Sequence, residues 1–315
     1  MKFAGRMNSF MFKGNYDLFQ TIEEYKKIDG ITHLEFNYPE HVAPYSVDEL
    51  KARMGHLKVN GVATRFRDSY TAGEFTNPDP EKSRAAVQLC RDAVDACKAL
   101  GGSVLTVWLG FDGFDYAFQV DYEKNWNTII ASFREVAAYG EERGIRISIE
   151  YKPFEPRAFS MIDGIGLTLL AIDEIGSKNV GVTLDFCHMM MKNESPAFSL
   201  ALAARRNRLF GLHLNDGYRI MDSGMIFGSV NYIQCVEFIY YLKKYNYEGV
   251  VFFDSFPVRE TAAEEIAMNI KMVNLMSKTI DEIGMDRIQR ICEKQDGVSS
   301  QDLAYAMLSH KLKDS

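Results

Sequence analysis

Short apolar segments rich in β-branched and aromatic residues alternate along the chain with longer segments of helical periodicity. A strand followed by an amphipathic helix is the repeating unit of a parallel sheet, because the chain must cross back before the next parallel strand begins. The alternation predicts eight strands, at residues 2–9, 31–37, 61–67, 104–109, 145–150, 180–186, 209–214 and 249–254. It predicts helices at residues 16–27, 47–60, 81–100, 125–143, 164–176, 199–206 and 230–244, and a helical pattern from residue 261 to the end with a break near residues 296–298.

Eight strand–helix units in 315 residues match the size of an α/β chain folded as a (β/α)8 TIM barrel. No change in composition divides the chain, so we assign residues 1–275 to a barrel and residues 276–315 to a C-terminal helical extension. A doubly wound sheet is the alternative, but it requires a glycine-rich phosphate loop. The segment Gly164-Ile165-Gly166 opens a helix without a third glycine, and the sequence has no Walker A motif.

Composition narrows the class of protein. The chain is 47% hydrophobic and 25% charged, with a net charge of −7, and an acidic balance disfavours a nucleic-acid partner. No apolar run approaches the roughly 20 residues of a membrane span, and the first residues, MKFAGRMNSFMFKG, lack the apolar core of a signal peptide. The five cysteines are scattered without a CxxC pair, which favours reduced thiols in a cytoplasmic protein.

Four consecutive predicted strands end in side chains that can bind a metal ion, namely Glu150, Asp185, His213 and Asp254. The carboxyl ends of barrel strands meet at one rim, where barrel enzymes build their active sites. A single strand-end aspartate more often caps the next helix, but four such groups in register favour a site. Three carboxylates and one imidazole suit Mn²⁺ or Mg²⁺, with Co²⁺ or Zn²⁺ as alternatives, and we expect Mn²⁺.

A second group of polar residues follows the first. His188 comes three residues after Asp185, and Asp222 lies in the loop after the seventh strand. These two residues could hold a second, looser ion or position a water, and the equal alternative is that they only support the first ligands or line a loop. Cys187 beside His188 suggests a Cys–His nucleophile, but a buried thiol is favoured because nothing nearby supplies an acyl-transfer apparatus.

Several motifs carry a family resemblance. They are EYKPFEPR at 150–157, TLDFCH at 183–188, GLHLND at 211–216, GS at 228–229, Asp254 in FFDSF, VWLGFDGFDY at 107–116 and FTNPDP at 75–80. Together they resemble the xylose-isomerase-like TIM-barrel superfamily of sugar isomerases and epimerases. Within it, the chain is most similar to the L-rhamnose isomerase type and to apiose-like sugar isomerases.

The resemblance assigns roles to the strand-end residues. It implies that the four strand-end side chains bind the metal, that Lys152 contacts the sugar oxygen at the reacting carbon, and that His188 and Asp222 contribute to a catalytic second metal. Relatives carry at least two adjacent acids where this chain has Asp222-Ser223. Because serine is a poor ligand, we expect the second ion to be weak, water-rich or absent. The resemblance also implies a homo-oligomer, commonly a dimer or tetramer.

The expected activity is the 1,2-isomerisation of a small unphosphorylated aldose and ketose. Hydrogen would move between C1 and C2 as a hydride or as a proton through an enediol, with the Lys152 ammonium stabilising charge on the carbonyl oxygen. In the 3-epimerases of the superfamily the eighth-strand ligand is a glutamate that doubles as an acid/base. The shorter Asp254 favours isomerisation here, and a ketose 3-epimerase is the alternative.

Three residues are candidates for substrate binding. Trp108 faces inward by alternation and would form an apolar wall for the sugar, with an ordinary core tryptophan as the equal alternative. Asp112 and Arg157, with Asp115 beside them, are candidates for hydroxyl recognition, although each is favoured as a solvated loop residue. Two other classes remain as alternatives. One is an endonuclease-IV-like repair enzyme, which needs three clustered metals, more histidines and a basic groove, whereas this chain has six histidines and a net charge of −7. The other is a barrel that binds sugar or metal without turnover.

Overall fold

The computed structural model of the protein describes residues 1–310, and the predicted helical pattern of residues 311–315 lies outside them. The eight long strands are β1 (Lys2–Gly5), β2 (His33–Tyr38), β3 (Lys58–Thr64), β4 (Val104–Trp108), β5 (Arg146–Glu150), β6 (Val180–Asp185), β7 (Leu209–Leu214) and β8 (Val250–Phe253). The helices are α1 (Asn8–Gly14), α2 (Leu18–Tyr25), α3 (Val47–Met54), α4 (Pro80–Leu100), α5 (Tyr122–Arg143), α6 (Ile165–Ile175), α7 (Phe186–Met191), α8 (Pro196–Arg205), α9 (Tyr232–Lys244), α10 (Ala262–Ile283), α11 (Met285–Lys294) and α12 (Gly297–His310).

The eight strands form one parallel sheet in the order β1-β8-β7-β6-β5-β4-β3-β2. A single parallel bridge between Phe3 and Ile31 brings β1 next to β2, so the barrel is nearly closed. This confirms the predicted (β/α)8 fold. A two-residue antiparallel ribbon, Gly113–Phe114 with Phe159–Ser160, joins the loops that follow β4 and β5.

The main hydrophobic core lies between the strands and the surrounding helices. Alternate strand residues such as Leu105, Val107, Ile147 and Ile149 point outward into it, as expected for strands covered by helices. A separate small apolar cluster inside the barrel is formed by Ala4 of β1 with Val250 and Phe252 of β8. The rest of the interior is therefore free to carry polar side chains.

Two β-bulges shift the strand register below the rim. Between β2 and β3, Leu34 pairs with Val59 but Glu35 pairs with Gly61, so Asn60 has no partner. Between β6 and β7 a similar shift leaves Phe210 unpaired and places His213 opposite Asp185. Bulges of this kind re-aim side chains near functional sites.

The helix predicted at residues 47–60 is too long. Helix α3 begins after Ser46, whose side chain caps the Glu49 N–H, and it ends at Met54 because Gly55 takes a positive φ of 61°. Strand β3 then begins at Lys58, not at residue 61. The first strand is also shorter than predicted, since residues 8–14 form α1.

Helix α10 runs unbroken through residue 275, where the sequence analysis placed the end of the barrel. Helix α10 ends at Ile283, and Gly284 follows with a positive φ of 92°. The division of the chain at residue 275 stays a prediction. Helix α11 follows and packs on α10, and α12 packs on α11. Among residues 1–310, no helix is long and apolar enough to cross a membrane.

Candidate metal and sugar site

The four strand-end side chains meet at one point of the barrel rim. Glu150, Asp185, His213 and Asp254 each offer a ligand atom, and these atoms all lie within 4.8 Å of one another. Glu150 and Asp185 are the last residues of β5 and β6, His213 is the penultimate residue of β7, and Asp254 follows β8 directly. The barrel therefore brings together the residues that the sequence analysis selected from strand ends alone.

His213 lies between two carboxylates. Its Nδ1 is 3.1 Å from Glu150 Oε1, and its Nε2 is 3.4 Å from Glu35 Oε1. The imidazole ring packs against Phe252 at a centroid distance of 4.7 Å. Burial alone would lower the pKa of His213, but the two glutamates outweigh it and raise that pKa. Burial opposes ionisation of Glu150, yet His213 lowers the Glu150 pKa to about 2, so the two side chains form a charged pair without a metal.

Asp185 is held by groups from neighbouring elements. Its Oδ1 accepts the His188 N–H at 2.9 Å, which caps α7, and its Oδ2 accepts a hydrogen bond from Asn215 Nδ2 at 3.0 Å. Burial raises the pKa of Asp185 to about 7, and the neighbouring carboxylates of Asp222, Glu150 and Asp254 add to the rise. A buried acid of this kind gains from a bound cation.

Asp254 lies beside a cation that the sequence analysis did not select. Arg6, just after β1, places its Nε 3.2 Å from Asp254 Oδ1. The Arg6 guanidinium also stacks on the ring of Phe256 at 4.4 Å. The eighth-strand carboxylate is therefore fixed by an arginine on one side of the site.

The cluster fits a divalent cation. Asp254 Oδ1 is buried without a hydrogen bond, since its contact with Arg6 lacks hydrogen-bond geometry, and Asp222 Oδ1 is buried in the same condition. Unsatisfied carboxylate oxygens are costly to bury, and three carboxylates with one imidazole match the preferences of Mn²⁺ or Mg²⁺. Glu150, Asp185, His213 and Asp254 are the residues that would hold the ion.

Lys152 lies two residues after Glu150, just beyond the end of β5, and it forms a buried ionic network. Its Nζ is 3.1 Å from Asp222 Oδ2 and 3.0 Å from Glu155 Oε2. His188 Nε2 lies 3.2 Å from the same Asp222 oxygen, and His188 Nδ1 donates to the Tyr151 carbonyl at 2.9 Å. Burial disfavours the charged lysine, but Asp222 and Glu155 raise the Lys152 pKa above its usual value.

The same network changes the expectation of a second metal. Burial opposes charge on His188, but Asp185 and Asp222 raise its pKa to about 9, so the imidazole is a cation near neutral pH. Asp222 thus pairs with two cations, Lys152 and His188, and a second metal ion at Asp222 and His188 stays a prediction. No second group of three or more metal-capable side chains occurs within the described part of the chain.

Cys187 does not have the surroundings of a nucleophile. Its side chain is buried, and Sγ donates to the Met221 carbonyl at 3.6 Å. Burial raises the pKa of the thiol to about 12, and Asp185 and Asp222 add to the rise. A thiol held neutral in this way is inert, so the buried-thiol interpretation of the sequence describes it.

Asp112 and Arg157, two of the three predicted sugar-binding residues, both contact other loops of the rim. Asp112 is buried, and its oxygens accept the backbone N–H groups of Glu74, Phe75 and Thr76, so it organises the loop after β3. The burial contradicts the solvated-loop interpretation of Asp112. Hydroxyl recognition by Asp112, which lines the same small cavity as Glu150 and Lys152, stays a prediction. Arg157 pairs with Asp115 at 2.9 Å and donates to the Thr71 carbonyl, which ties three rim loops together.

Trp108 lies at the end of β4 within the site. Its ring is 5.5 Å from Lys152 Nζ, a cation–π distance, and it lines a small cavity together with Glu150 and Lys152. The structure therefore places Trp108 beside the predicted catalytic lysine.

The layer beneath the ligands consists of small polar side chains. Ser148 Oγ is 2.6 Å from Thr183 Oγ1, and Thr106 Oγ1 is 3.4 Å from the same atom. Gly211 leaves room for the Thr183 hydroxyl, because a Cβ at position 211 would clash with Thr183 Oγ1. These hydroxyls support the β5, β6 and β7 ligands from below.

The sequence analysis missed Glu35 and Arg6. Glu35 is a lone acid within the apolar strand segment ITHLEFN, which is a signal for an inward-facing functional group. Arg6 follows the first strand at the same rim as the four ligands. Both residues act through partners more than 170 positions away, which no local pattern indicates.

A family model described as a xylose isomerase-like TIM barrel matches residues 22–272. The chain belongs to this family. The xylose isomerase of Thermus thermophilus is 27% identical over 246 residues, which cover 74% of this chain and 64% of that protein. The probable sugar isomerase R00627 of Rhizobium meliloti is 29% identical over 166 residues, covering 50% of this chain and 37% of that protein. The chain thus spans less than two thirds of the length of these curated relatives.

Solved structures share the fold of this xylose isomerase-like barrel. A D-tagatose 3-epimerase-like protein superposes with a TM-score of 0.73 at 18% identity, covering 90% of this chain and 99% of that one. An L-ribulose 3-epimerase gives a TM-score of 0.65 at 18% identity, covering 94% and 98%. An IOLI protein with a binding zinc atom gives a TM-score of 0.68 at 17% identity, covering 88% and 98%. At these identities the likeness concerns the fold.

Proposed function

We propose that this protein is a divalent-metal-dependent isomerase that interconverts a small aldose and the corresponding ketose. Family membership and the four-residue cluster support a sugar substrate and a metal. The observation that carries the proposal is the buried Lys152, which lines the same small cavity as the ligand Glu150. Its ammonium matters because a carbonyl oxygen gains negative charge as a neighbouring C–H bond shifts. A fixed cation at that oxygen stabilises the transition state more than the ground state.

A divalent ion held by Glu150, Asp185, His213 and Asp254 would supply Lewis acidity and a template for two adjacent sugar oxygens. Mn²⁺ is the proposed ion, with Mg²⁺, Co²⁺ or Zn²⁺ as alternatives, because carboxylates outnumber imidazoles. The chain's own contribution lies in Lys152 at the carbonyl oxygen and in Trp108 as a wall for the sugar.

The pairing of the acidic groups favours a hydride shift. Asp254 is bound to Arg6, and Asp222 is bound to Lys152 and His188, so neither is a free base. In the aldose-to-ketose direction the C2–H bond breaks with its electron pair and a C1–H bond forms. The O2 proton leaves and O1 gains a proton, so no outside oxidant or reductant is needed.

A label experiment tests this function. Pentoses, deoxyhexoses and branched-chain sugars are screened with Mn²⁺ or Co²⁺ for aldose–ketose conversion, and the best aldose is then prepared with deuterium at C2. We expect ketose with deuterium retained at C1. Washout of the label into water would replace the hydride shift by an enediol route, and absence of any aldose–ketose conversion would overturn the isomerase. Glu150→Ala should lose metal uptake and turnover together.

A ketose 3-epimerase is the second candidate, because two carboxylates of the cluster, Glu150 and Asp254, come from strands on either side of His213 and could serve two faces of a sugar. Epimerisation needs a free acid or base on each face, and Asp254 is paired with Arg6. Burial raises the pKa of Asp254, and Arg6 opposes that rise. A product inverted at C3 with no aldose formed would establish this candidate.

A further inference from the structure

Glu35 is a buried carboxylate whose charge has no lysine or arginine partner in the described structure. It lies in β2, is 6% exposed, and points away from the outer core that holds its neighbours Leu34 and Phe36. A charge in such a place is costly unless specific groups bind it. Its polar side-chain partners are Asn60 and His213, and of these only His213 belongs to the ligand cluster. The function of Glu35 therefore concerns His213.

The contacts of His213 assign one nitrogen to each side of the ring. Nδ1 faces Glu150, which belongs to the ligand cluster, and Nε2 faces Glu35, which does not. Since Nδ1 faces the cluster, it is the nitrogen that would bind the metal. Only a nitrogen without a proton can do so, and the hydrogen of the neutral ring must then lie on Nε2. An acceptor at Nε2 selects that tautomer.

Glu35 is itself held in place. Its Oε2 accepts a hydrogen bond from Asn60 Nδ2 at 2.7 Å, which leaves Oε1 directed at His213. Asn60 is the unpaired residue of the β2–β3 bulge, and the close approach of Gly61 to Val104 leaves no space for a side chain beside it. The bulge therefore turns the Asn60 amide toward Glu35.

We infer that Glu35 is a positioning residue that accepts the Nε2–H of His213, fixes its ring and tautomer, and so raises the affinity of the proposed metal site, with Asn60 holding Glu35 in turn. The inference rests on the metal site of the proposed function but not on the reaction. Removing an outer partner of a ligand histidine lowers metal affinity by about 10- to 100-fold in comparable sites.

The test measures metal affinity, by competition with a chelating dye for Mn²⁺ and by calorimetry. We expect Glu35→Ala to raise the Kd by about 10- to 100-fold. Glu35→Gln keeps an acceptor oxygen and should recover most of the affinity, and Asn60→Ala should have a smaller effect. The matched control is Glu74→Gln. It alters another buried glutamate, whose side chain accepts the Phe111 N–H and not a hydrogen bond from any of the four ligands, so the Kd for Mn²⁺ should not change.

A second readout reports the tautomer directly. Long-range proton–nitrogen spectra of the Mg²⁺-loaded protein should show His213 protonated at Nε2, and Glu35→Ala should lose this pattern while its circular dichroism remains that of a folded barrel. A folded Glu35→Ala variant with unchanged Kd and tautomer would overturn the inference. The Mn²⁺ X-ray absorption spectra of Glu35→Ala and of the wild type give a further check. If the variant shows one oxygen ligand fewer, Glu35 is itself a ligand and the inference is overturned. If metal affinity falls as expected but no sugar is converted, only the proposed function fails.

Discussion

Replacement of Lys152 by methionine separates the chemistry of the site from its assembly. Methionine keeps most of the length and the apolar contact with Trp108 but removes the ammonium that pairs with Asp222 and Glu155. Because Lys152 is not a ligand, its loss removes a positive charge near the cluster, so metal affinity should stay equal or rise. Turnover should fall by about 10²- to 10³-fold, or about 3–4 kcal/mol, the usual effect of removing a preorganised donor at a developing oxyanion.

The same substitution has a defined effect on stability. Breaking one partner of a buried ion pair costs about 3–5 kcal/mol, and the remaining pair of Asp222 with His188 places the expected loss at the lower end, about 3 kcal/mol. The Lys152 pKa is raised, so its contribution is present throughout the neutral range and is lost only above that pKa. The Asp222 pKa is lowered, so its contribution disappears as pH falls below about 4. The stability difference should therefore be flat near neutrality and shrink in acid.

The assay combines steady-state turnover of the labelled aldose, calorimetric Mn²⁺ binding and thermal unfolding as a function of pH. Lys243→Met is the matched control, since Lys243 pairs with Asp281 on the outer helices. Its turnover and metal affinity should equal those of the wild type. The reasoning is refuted if Lys152→Met retains turnover within about tenfold, a loss of about 1.4 kcal/mol, or if it loses metal and turnover in parallel.

The remaining predictions concern the ion and the thiols. With a chelator present, the protein should lose stability as pH rises from about 4 to about 9, because the raised pKa values of Asp185 and His188 favour their protonated forms in the folded state. Saturating Mn²⁺ should reverse this trend. Equal melting temperatures with and without Mn²⁺ at high pH would contradict the prediction. Calorimetry should give one tightly bound Mn²⁺ per chain, because Asp222 is paired with Lys152 and His188. Two equivalent ions would show that this pairing does not prevent a second ion from binding. Iodoacetamide should modify the exposed Cys292 and spare Cys187, and Cys187→Ala should keep turnover within about twofold, whereas a large loss would restore the nucleophile hypothesis.

The sequence by itself determined the barrel and the metal-capable residues. Both follow from local patterns: strand and helix periodicities are set by neighbouring residues, and parallel strands must present their carboxyl ends at one rim. Glu150, Asp185, His213 and Asp254 could therefore be selected without any knowledge of which strands touch. The end of α3 was missed because a helical pattern continues past Gly55, and only the positive φ of that glycine ends it.

Tertiary structure decided which charges meet. Arg6 reaches Asp254 because β1 pairs with β8 in the sheet. Glu35 reaches His213 across the interior, with Asn60 turned toward Glu35 by a bulge. The sequence favours a solvated loop residue at Asp112, yet three backbone N–H groups of another loop bind it. Such pairings depend on distances between segments far apart in the chain, and these distances are set by barrel closure, strand register and loop packing, which local residue patterns do not encode.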